Sequence, residues 1–307
     1  MSFRTPAHAA INRSFHTPPC LGYLPDTDDR RRRQKPSTLK FGASPAVPAQ
    51  ASLASYRIPI FDQGQTGSCV GHGTAMGVAT SANAAGAPLG FVPSPGLAYK
   101  LARVLERTSN SIPLADGGSM PTDVLTVLLN WGIKPIGPMA PDGRNSDVWG
   151  PNDQNNGALP NVDTEPTLNE LEDSGLCLLA GEYRIDETAT NAVGQIQAAV
   201  SSGFSVGVGI FVDTAFMSWD PSTGPIRSVN LQDPQGGGHF PVVDYYYTMA
   251  DGTVVVGGPN SWSTNWPGVG GAVPSPLWTP GCWEMTAPCF MSVLSDALIF
   301  QVRRIGS

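Results

Sequence analysis

Residues 62–73 read Asp62-Gln63-Gly64-Gln65-Thr66-Gly67-Ser68-Cys69-Val70-Gly71-His72-Gly73, and a run of small, uncharged residues continues from Cys69 to about position 87. The glycine-punctuated stretch reads as a loop and the run after it as a helix. Glycines at 71, 73 and 77 each cost about 1 kcal/mol of helix propensity, but they let a central helix pack closely against its neighbours. A cysteine in the first turn of such a helix faces unsatisfied backbone N–H groups and the positive end of the dipole. That setting stabilises a thiolate and makes the sulfur a nucleophile.

A thiolate needs a base, and the chain has four histidines. His8 and His16 fall in a segment without periodicity, and His72 lies three residues along the helix of Cys69, where it reads as a packed helix residue. His239 follows Gly236-Gly237-Gly238 and opens the apolar run Phe240-Pro241-Val242-Val243-Asp244-Tyr245, so a strand would hold its imidazole rigidly. An imidazole kept in one tautomer needs an orienting partner. Asn260, after the strand-like segment 253–257, is placed for that role, with Trp262 positioned to shield the His239–Asn260 hydrogen bond.

Outside these motifs, the first 50 residues hold eight Lys/Arg against three Asp/Glu, and the rest hold ten against 22. A basic tail on an acidic body predicts that the tail docks on its own domain. The acidic remainder argues against nucleic acid as the main partner. Five cysteines at 20, 69, 177, 282 and 289 contain no C-x-x-C pair, so the spacing predicts no metal site and free thiols. No apolar run is long enough to span a bilayer, and the first residues lack a signal-peptide core. The expected location is the cytoplasm, or outside the cell by a route without a classical signal.

Helical periodicity is expected over 95–107 and 120–131, and Asn/Pro/Gly-rich loop over 137–167. The second half predicts strands at 183–185, 206–212, 239–247, 253–257, 282–285 and 297–302, with a helix at 192–202. Helices first and strands afterwards indicate an α+β class with two lobes. The expected division is a tail at 1–50, a helical lobe at 51–165 carrying the nucleophile, and a β-rich lobe at 166–307 carrying the histidine and asparagine.

Together these motifs resemble the papain-like cysteine peptidase family. Asp62-Gln63-Gly64-Gln65-Thr66-Gly67-Ser68-Cys69 resembles its active-site signature, with the glutamine six positions before the cysteine. Gly237-Gly238-His239-Phe240 resembles its histidine strand, and Pro259-Asn260-Ser261-Trp262-Ser263-Thr264-Asn265-Trp266 its asparagine motif. The segment from Asp116 to Ile133 looks like the glycine-bearing substrate loop and following helix, and residues 21–30 look like the leader of bacterial members. The resemblance implies a two-lobed fold with an antiparallel β-sheet or barrel-like second lobe and a cleft between the lobes. It also implies peptide-bond hydrolysis through a thioester on Cys69, without cofactor, on a peptide or protein substrate. Gln63 would donate to the oxyanion with the Cys69 backbone N–H, and Gly117, Gly118, Gly238 and Trp262 would border the substrate.

The sequence departs from the family pattern at Thr66, where a disulfide cysteine is usual, and at Val70, usually aromatic. It departs again at Phe240, usually small, and at Ser263, usually glycine. Three other readings stay open: a nucleophile elbow at Gly67-Ser68-Cys69-Val70-Gly71, a transpeptidase or isopeptidase using the same site, and a structural or interaction protein of a virion or secreted assembly. The elbow needs a strand ending at Gly67, whereas the apolar segment stops at Phe61.

Overall fold

The computed structural model describes residues 21–26, 47–107, 115–133, 178–179, 183–187 and 189–303. Its helices are α1 (Cys69–Ala84), α2 (Pro95–Glu106), α3 (Pro121–Trp131), α4 (Ala192–Ser201), α5 (Thr214–Met217) and α6 (Ala287–Val293). Its first strands are β1 (Gln50–Ser52), β2 (Leu178–Leu179), β3 (Tyr183–Arg184), β4 (Val206–Val212), β5 (Gly237–His239) and β6 (Val242–Val243). The others are β7 (Tyr245–Thr248), β8 (Val254–Pro259), β9 (Cys282–Thr286), β10 (Leu294–Ile299) and β11 (Val302–Arg303). The loop expected at 137–167, Cys20 and Cys177 lie outside the described residues.

Fourteen of the sixteen residues of α1 are buried, so every face of this helix is covered. Small side chains make that burial feasible: a Cβ at Gly71 would overlap the Pro95 carbonyl, at Gly73 the Phe240 carbonyl, and at Gly77 the Phe300 ring. One side of α1 packs on α2 and α3 through Val70, Val78, Leu97, Leu101, Val124 and Leu128. Helix α2 starts at Pro95, with the Ser94 hydroxyl accepting from the Leu97 N–H at 3.1 Å, a favourable N-cap. Helix α3 stops at Gly132, whose φ of 75° suits glycine.

The second half is sheet with interspersed helices. Strand β4 reads Val-Gly-Val-Gly-Ile-Phe-Val and is buried along nearly its whole length between β10 and β5. The β lobe is antiparallel as expected, and its described strands do not close into a barrel. They form one antiparallel sheet in the order β1-β7-β8-β9 and another in the order β3-β10-β4-β5, with β6 also on β4. The single strand expected over 239–247 is broken for the same reason: Pro241 has no N–H to donate, and after Asp244 the chain passes from β4's sheet into the other.

Arg57 fastens the segment before α1 to this lobe through a two-pronged ion pair with buried Asp244, at 2.5 and 2.6 Å. Cys69, Cys282 and Cys289 are buried and not in disulfides. No helix among the described residues is long and apolar enough to cross a membrane.

Candidate active site

The loop ahead of α1 is zipped to the loop after β8. The Gln63 N–H donates to the Ser261 carbonyl at 2.8 Å, and the Ser263 N–H donates to the Phe61 carbonyl at 3.0 Å. Asp62 and Trp262 form an antiparallel bridge between these bonds. The pairing holds the Gln63 side chain beside the asparagine loop. There its Oε1 accepts a hydrogen bond from the Ser261 hydroxyl, and its Nε2 donates to the Thr66 carbonyl at 2.8 Å.

Thr66 occupies the position of the usual cysteine. Its hydroxyl donates to the Gln63 carbonyl at 2.8 Å and lies 2.7 Å from the Ser68 hydroxyl, so hydrogen bonds tie this loop where a disulfide otherwise would. Cys69 follows as the first residue of α1 and is fully buried. His72 turns back on its own helix, with Nδ1 3.0 Å from the Ser68 carbonyl. Burial pushes its pKa down to about 3, and the nearby His239 adds to the effect.

His239 is the last residue of β5, held opposite Ile210 of β4. Its Nε2 lies 2.6 Å from Asn260 Oδ1. That oxygen also accepts from the Ser261 N–H at 2.8 Å, which fixes the amide's orientation. An oxygen acceptor at Nε2 puts the proton on Nε2 and leaves Nδ1 with a lone pair. Nδ1 is buried and makes no hydrogen bond among the described residues. Trp262 stacks on the imidazole with ring centroids 4.6 Å apart, and Phe216 meets its edge at 6.4 Å. Burial pushes the His239 pKa down to about 4 against the opposing pull of the Asn260 hydrogen bond, so at neutral pH the ring is an uncharged acceptor.

The Cys69 and His239 elements meet where Gly73 touches the Phe240 carbonyl. Gly73 lies one turn along α1 from Cys69, on the same face, and Phe240 directly follows His239. The segments that carry Gln63, Cys69, His239 and Asn260 thus adjoin one another, and each of the four residues is at most 1% exposed.

Residues 21–26 bridge the two sides. The Ser119 N–H donates to the Gly22 carbonyl at 2.9 Å and the Leu24 N–H to the Ser119 carbonyl at 3.1 Å, a parallel bridge around Tyr23. On the other side the Tyr23 N–H donates to the Gly238 carbonyl at 3.3 Å. Gly22 abuts Gly67, two residues before Cys69, with no room for a Cβ. The segment therefore touches Gly238, which adjoins His239, and Gly67, two residues from Cys69. Its side chains anchor it: the Tyr23 hydroxyl donates to Asp296, and Arg184 pairs with both Asp26 and Asp296.

Gly118, at φ +92°, abuts the Gly22 carbonyl, and its N–H donates to the Tyr99 hydroxyl at 3.1 Å. The loop is tied back to Gly67 through Asp116, whose Oδ1 lies 2.9 Å from the Gly67 N–H. Gly238 lies against Tyr23, whereas Gly117 has no neighbour within 4 Å of where its Cβ would be. Trp262 covers the imidazole. Sequence reasoning missed Ser261, which orients Gln63, and the Tyr23–Asp296–Arg184 cluster. Only the Asn260-Ser261 adjacency hinted at the first, and nothing local signals the second.

No family model matches the chain, and no curated protein matches it. Solved structures do. Xylellain, a cysteine protease from Xylella fastidiosa, aligns with a TM-score of 0.65 at 20% identity, over 94% of this chain and 99% of that one. Digestive procathepsin L 3 of the Tenebrio molitor larval midgut aligns at 0.54 with 15% identity, over 94% of this chain and 76% of that one. The bromelain protease of Ananas comosus, in complex with the E64 inhibitor, aligns at 0.54 with 13% identity, over 83% and 99% respectively. At these identities the likeness defines the fold. The chain has the papain-like α+β fold.

Proposed function

We propose that this chain is a cysteine peptidase held latent by its own residues 21–26. One observation carries the reading: in a papain-like fold, His239 binds Asn260 through Nε2 and keeps a buried, hydrogen-acceptor Nδ1 on the side of the ring away from that bond. That leaves Nδ1 as the atom to take the Cys69 proton. Structural neighbours named as cysteine proteases support the assignment, and one of them is a procathepsin, a pro-form.

On this reading each residue has one role. His239 Nδ1 takes the thiol proton of Cys69, and the sulfur attacks the peptide carbonyl carbon. The carbonyl π electrons move to oxygen, where the Cys69 backbone N–H and one Gln63 Nε2–H donate to the oxyanion; the other Nε2–H already serves Thr66. Loss of one such donor lowers the rate by about 10²–10³. As the oxyanion collapses the C–N bond breaks, and the imidazolium gives its proton to the departing amine. The resulting thioester is hydrolysed by water, whose proton His239 accepts. The S–C bond then breaks, the proton returns to sulfur, and a carboxylic acid leaves. Asn260 keeps the imidazole in register throughout, and Trp262 and Phe216 exclude water from that bond.

The test is cleavage of an unfolded protein under reducing conditions. Tyr23→Gly, which loosens the covering segment, should cleave it faster than the wild type and take one equivalent of an epoxysuccinyl probe on Cys69; adding Cys69→Ala should abolish both. Undiminished cleavage by Cys69→Ala, or labelling at Cys282 or Cys289 instead, would refute the assignment.

A further inference from the structure

His72 donates twice to one carbonyl. Its backbone N–H reaches the Ser68 oxygen at 3.0 Å, and its ring Nδ1 lies 3.0 Å from the same atom. A carbonyl only accepts, so Nδ1 carries the proton. That carbonyl belongs to the peptide group whose other end is the Cys69 N–H. Nδ1 also lies 3.2 Å from the Ser68 hydroxyl, which is 2.7 Å from the Thr66 hydroxyl. Thr66 gives its one hydroxyl proton to the Gln63 carbonyl at 2.8 Å, so the proton between Thr66 and Ser68 is the serine's. Giving the Ser68 proton to Nδ1 instead would leave those two hydroxyl oxygens facing each other with no proton between them. The donors therefore run one way, from His72 through Ser68 and Thr66 to Gln63. Ser68 is the N-cap residue of α1, yet its side chain makes no cap bond, the role a serine there ordinarily takes. Each of the four residues is at most 4% exposed.

We propose that His72 is a positioning residue for both oxyanion donors, the Cys69 backbone N–H and the Gln63 side-chain amide. The inference rests on the peptidase reading above and adds a residue to that same site. A second donor on the Ser68 carbonyl polarises the peptide group and strengthens its N–H, as hydrogen bonds in a buried chain strengthen one another. The hydroxyl chain holds the glutamine loop: the Gln63 carbonyl accepts from Thr66, and Gln63 Nε2 donates back to the Thr66 carbonyl. Phe61 meets the His72 ring edge-on with centroids 5.7 Å apart, which steadies the ring. Burial keeps that ring uncharged at neutral pH. His72 acts through a peptide group and two hydroxyls, so it takes no proton from the reacting atoms.

The experiment uses the full chain with Tyr23→Gly and a quenched-fluorescent peptide that this variant cleaves. His72→Phe keeps a ring without the donor, whereas His72→Asn keeps an N–H at the δ position. His72→Phe should lower kcat about tenfold with KM within about threefold, and His72→Asn should recover most of the loss. Alkylation of Cys69 by iodoacetamide forms no oxyanion, so its rate should stay within about threefold in both variants. Thr66→Val cuts only the branch to Gln63. It should lower kcat about fivefold alone and no more than about twofold on top of Gln63→Ala.

Nuclear magnetic resonance reads the network without turnover. His72 should be the Nδ1–H tautomer, and the Cys69 amide nitrogen should shift upfield in His72→Phe and return in His72→Asn. An Nε2–H tautomer, a loss confined to KM, an equal loss of alkylation, or His72→Asn no better than His72→Phe each overturns the proposal. If His72→Phe fails to fold, the tautomer and the Thr66→Val cycle decide the matter. Cleavage with an Nε2–H tautomer would sink the role of His72 and leave the peptidase reading standing. The Nδ1–H tautomer and the Cys69 response without any cleavage would do the reverse.

Discussion

Ser261 donates its hydroxyl proton to the side-chain oxygen of Gln63, although 198 residues separate them. This bond sets which way the Gln63 amide faces, and so where its N–H groups point. Removing it should weaken oxyanion stabilisation without touching nucleophile or base. Ser261→Ala is expected to lower kcat about tenfold with KM little changed, and Gln63→Ala to lower it by about 10²–10³. Steady-state kinetics of both variants checks this. A Ser261→Ala loss confined to KM would show that the hydroxyl does not act through Gln63.

Asp26 couples the covering segment to pH. Burial and the neighbouring Asp296 outweigh the pull of Arg184 and push its carboxyl up to about 6. A carboxyl raised in the docked state binds more protons there than when released. The stabilisation of docking is thus fully present below about pH 4 and is lost as pH rises through 6. The rate at which Cys69 reacts with a thiol probe, normalised to free cysteine, should rise between pH 4 and 7. Asp26→Asn should flatten that rise and slow labelling at pH 7. A normalised rate that falls across this window contradicts the coupling.

His239 should stay neutral well below the ordinary histidine range while the site is covered. With its pKa pushed to about 4, its ring resonances in the full chain should not titrate between pH 5 and 7, as followed by carbon-detected NMR. Tyr23→Gly or Trp262→Ala admits water and should move the titration up towards the usual value of about 6.5. The sign for stability follows: a depressed histidine pKa means that the unfolded chain takes up the proton first. This contribution to stability is lost as pH falls from about 6.5 to 4. Histidine resonances that titrate normally in the full chain would show the imidazole is not desolvated.

Ser263 has a φ of 64°, the left-handed region where an L side chain is strained and glycine is not. The residue takes part in the pairing that holds the Gln63 loop. Ser263→Gly is expected to be neutral to stabilising by up to about 1 kcal/mol, and Ser263→Val to destabilise by more than about 1 kcal/mol. Denaturant melts of the two variants give the comparison. A destabilised glycine variant would mean that the hydroxyl, which accepts from the Asn265 N–H at 3.1 Å, outweighs the backbone strain.

Much of the fold was legible because its signals are local. Proline at 95 and glycine at 132 bound helices by fixing φ where a helix starts or stops. The uninterrupted apolar run at 206–212 is what a strand covered on both faces requires. The cysteine, histidine and asparagine stood out because their neighbours set their chemistry: a helix start for Cys69, a rigid strand for His239 and a turn for Asn260. The division of the strands into two sheets was not legible, because it depends on where a chain changes partners. That happens between Phe240 and Tyr245, and alternation of side chains does not reveal it.

The sequence by itself determined the reactive residue types, their order and the elements that carry them, since each follows from a few adjacent residues. Only the tertiary structure decided that residues 21–26 lie across the site, that Ser261 aims Gln63, and that Asp296 accepts the Tyr23 hydroxyl. Those contacts join positions up to 273 apart. They arise from two lobes closing on each other, and no local periodicity encodes which distant side chains then share one buried space.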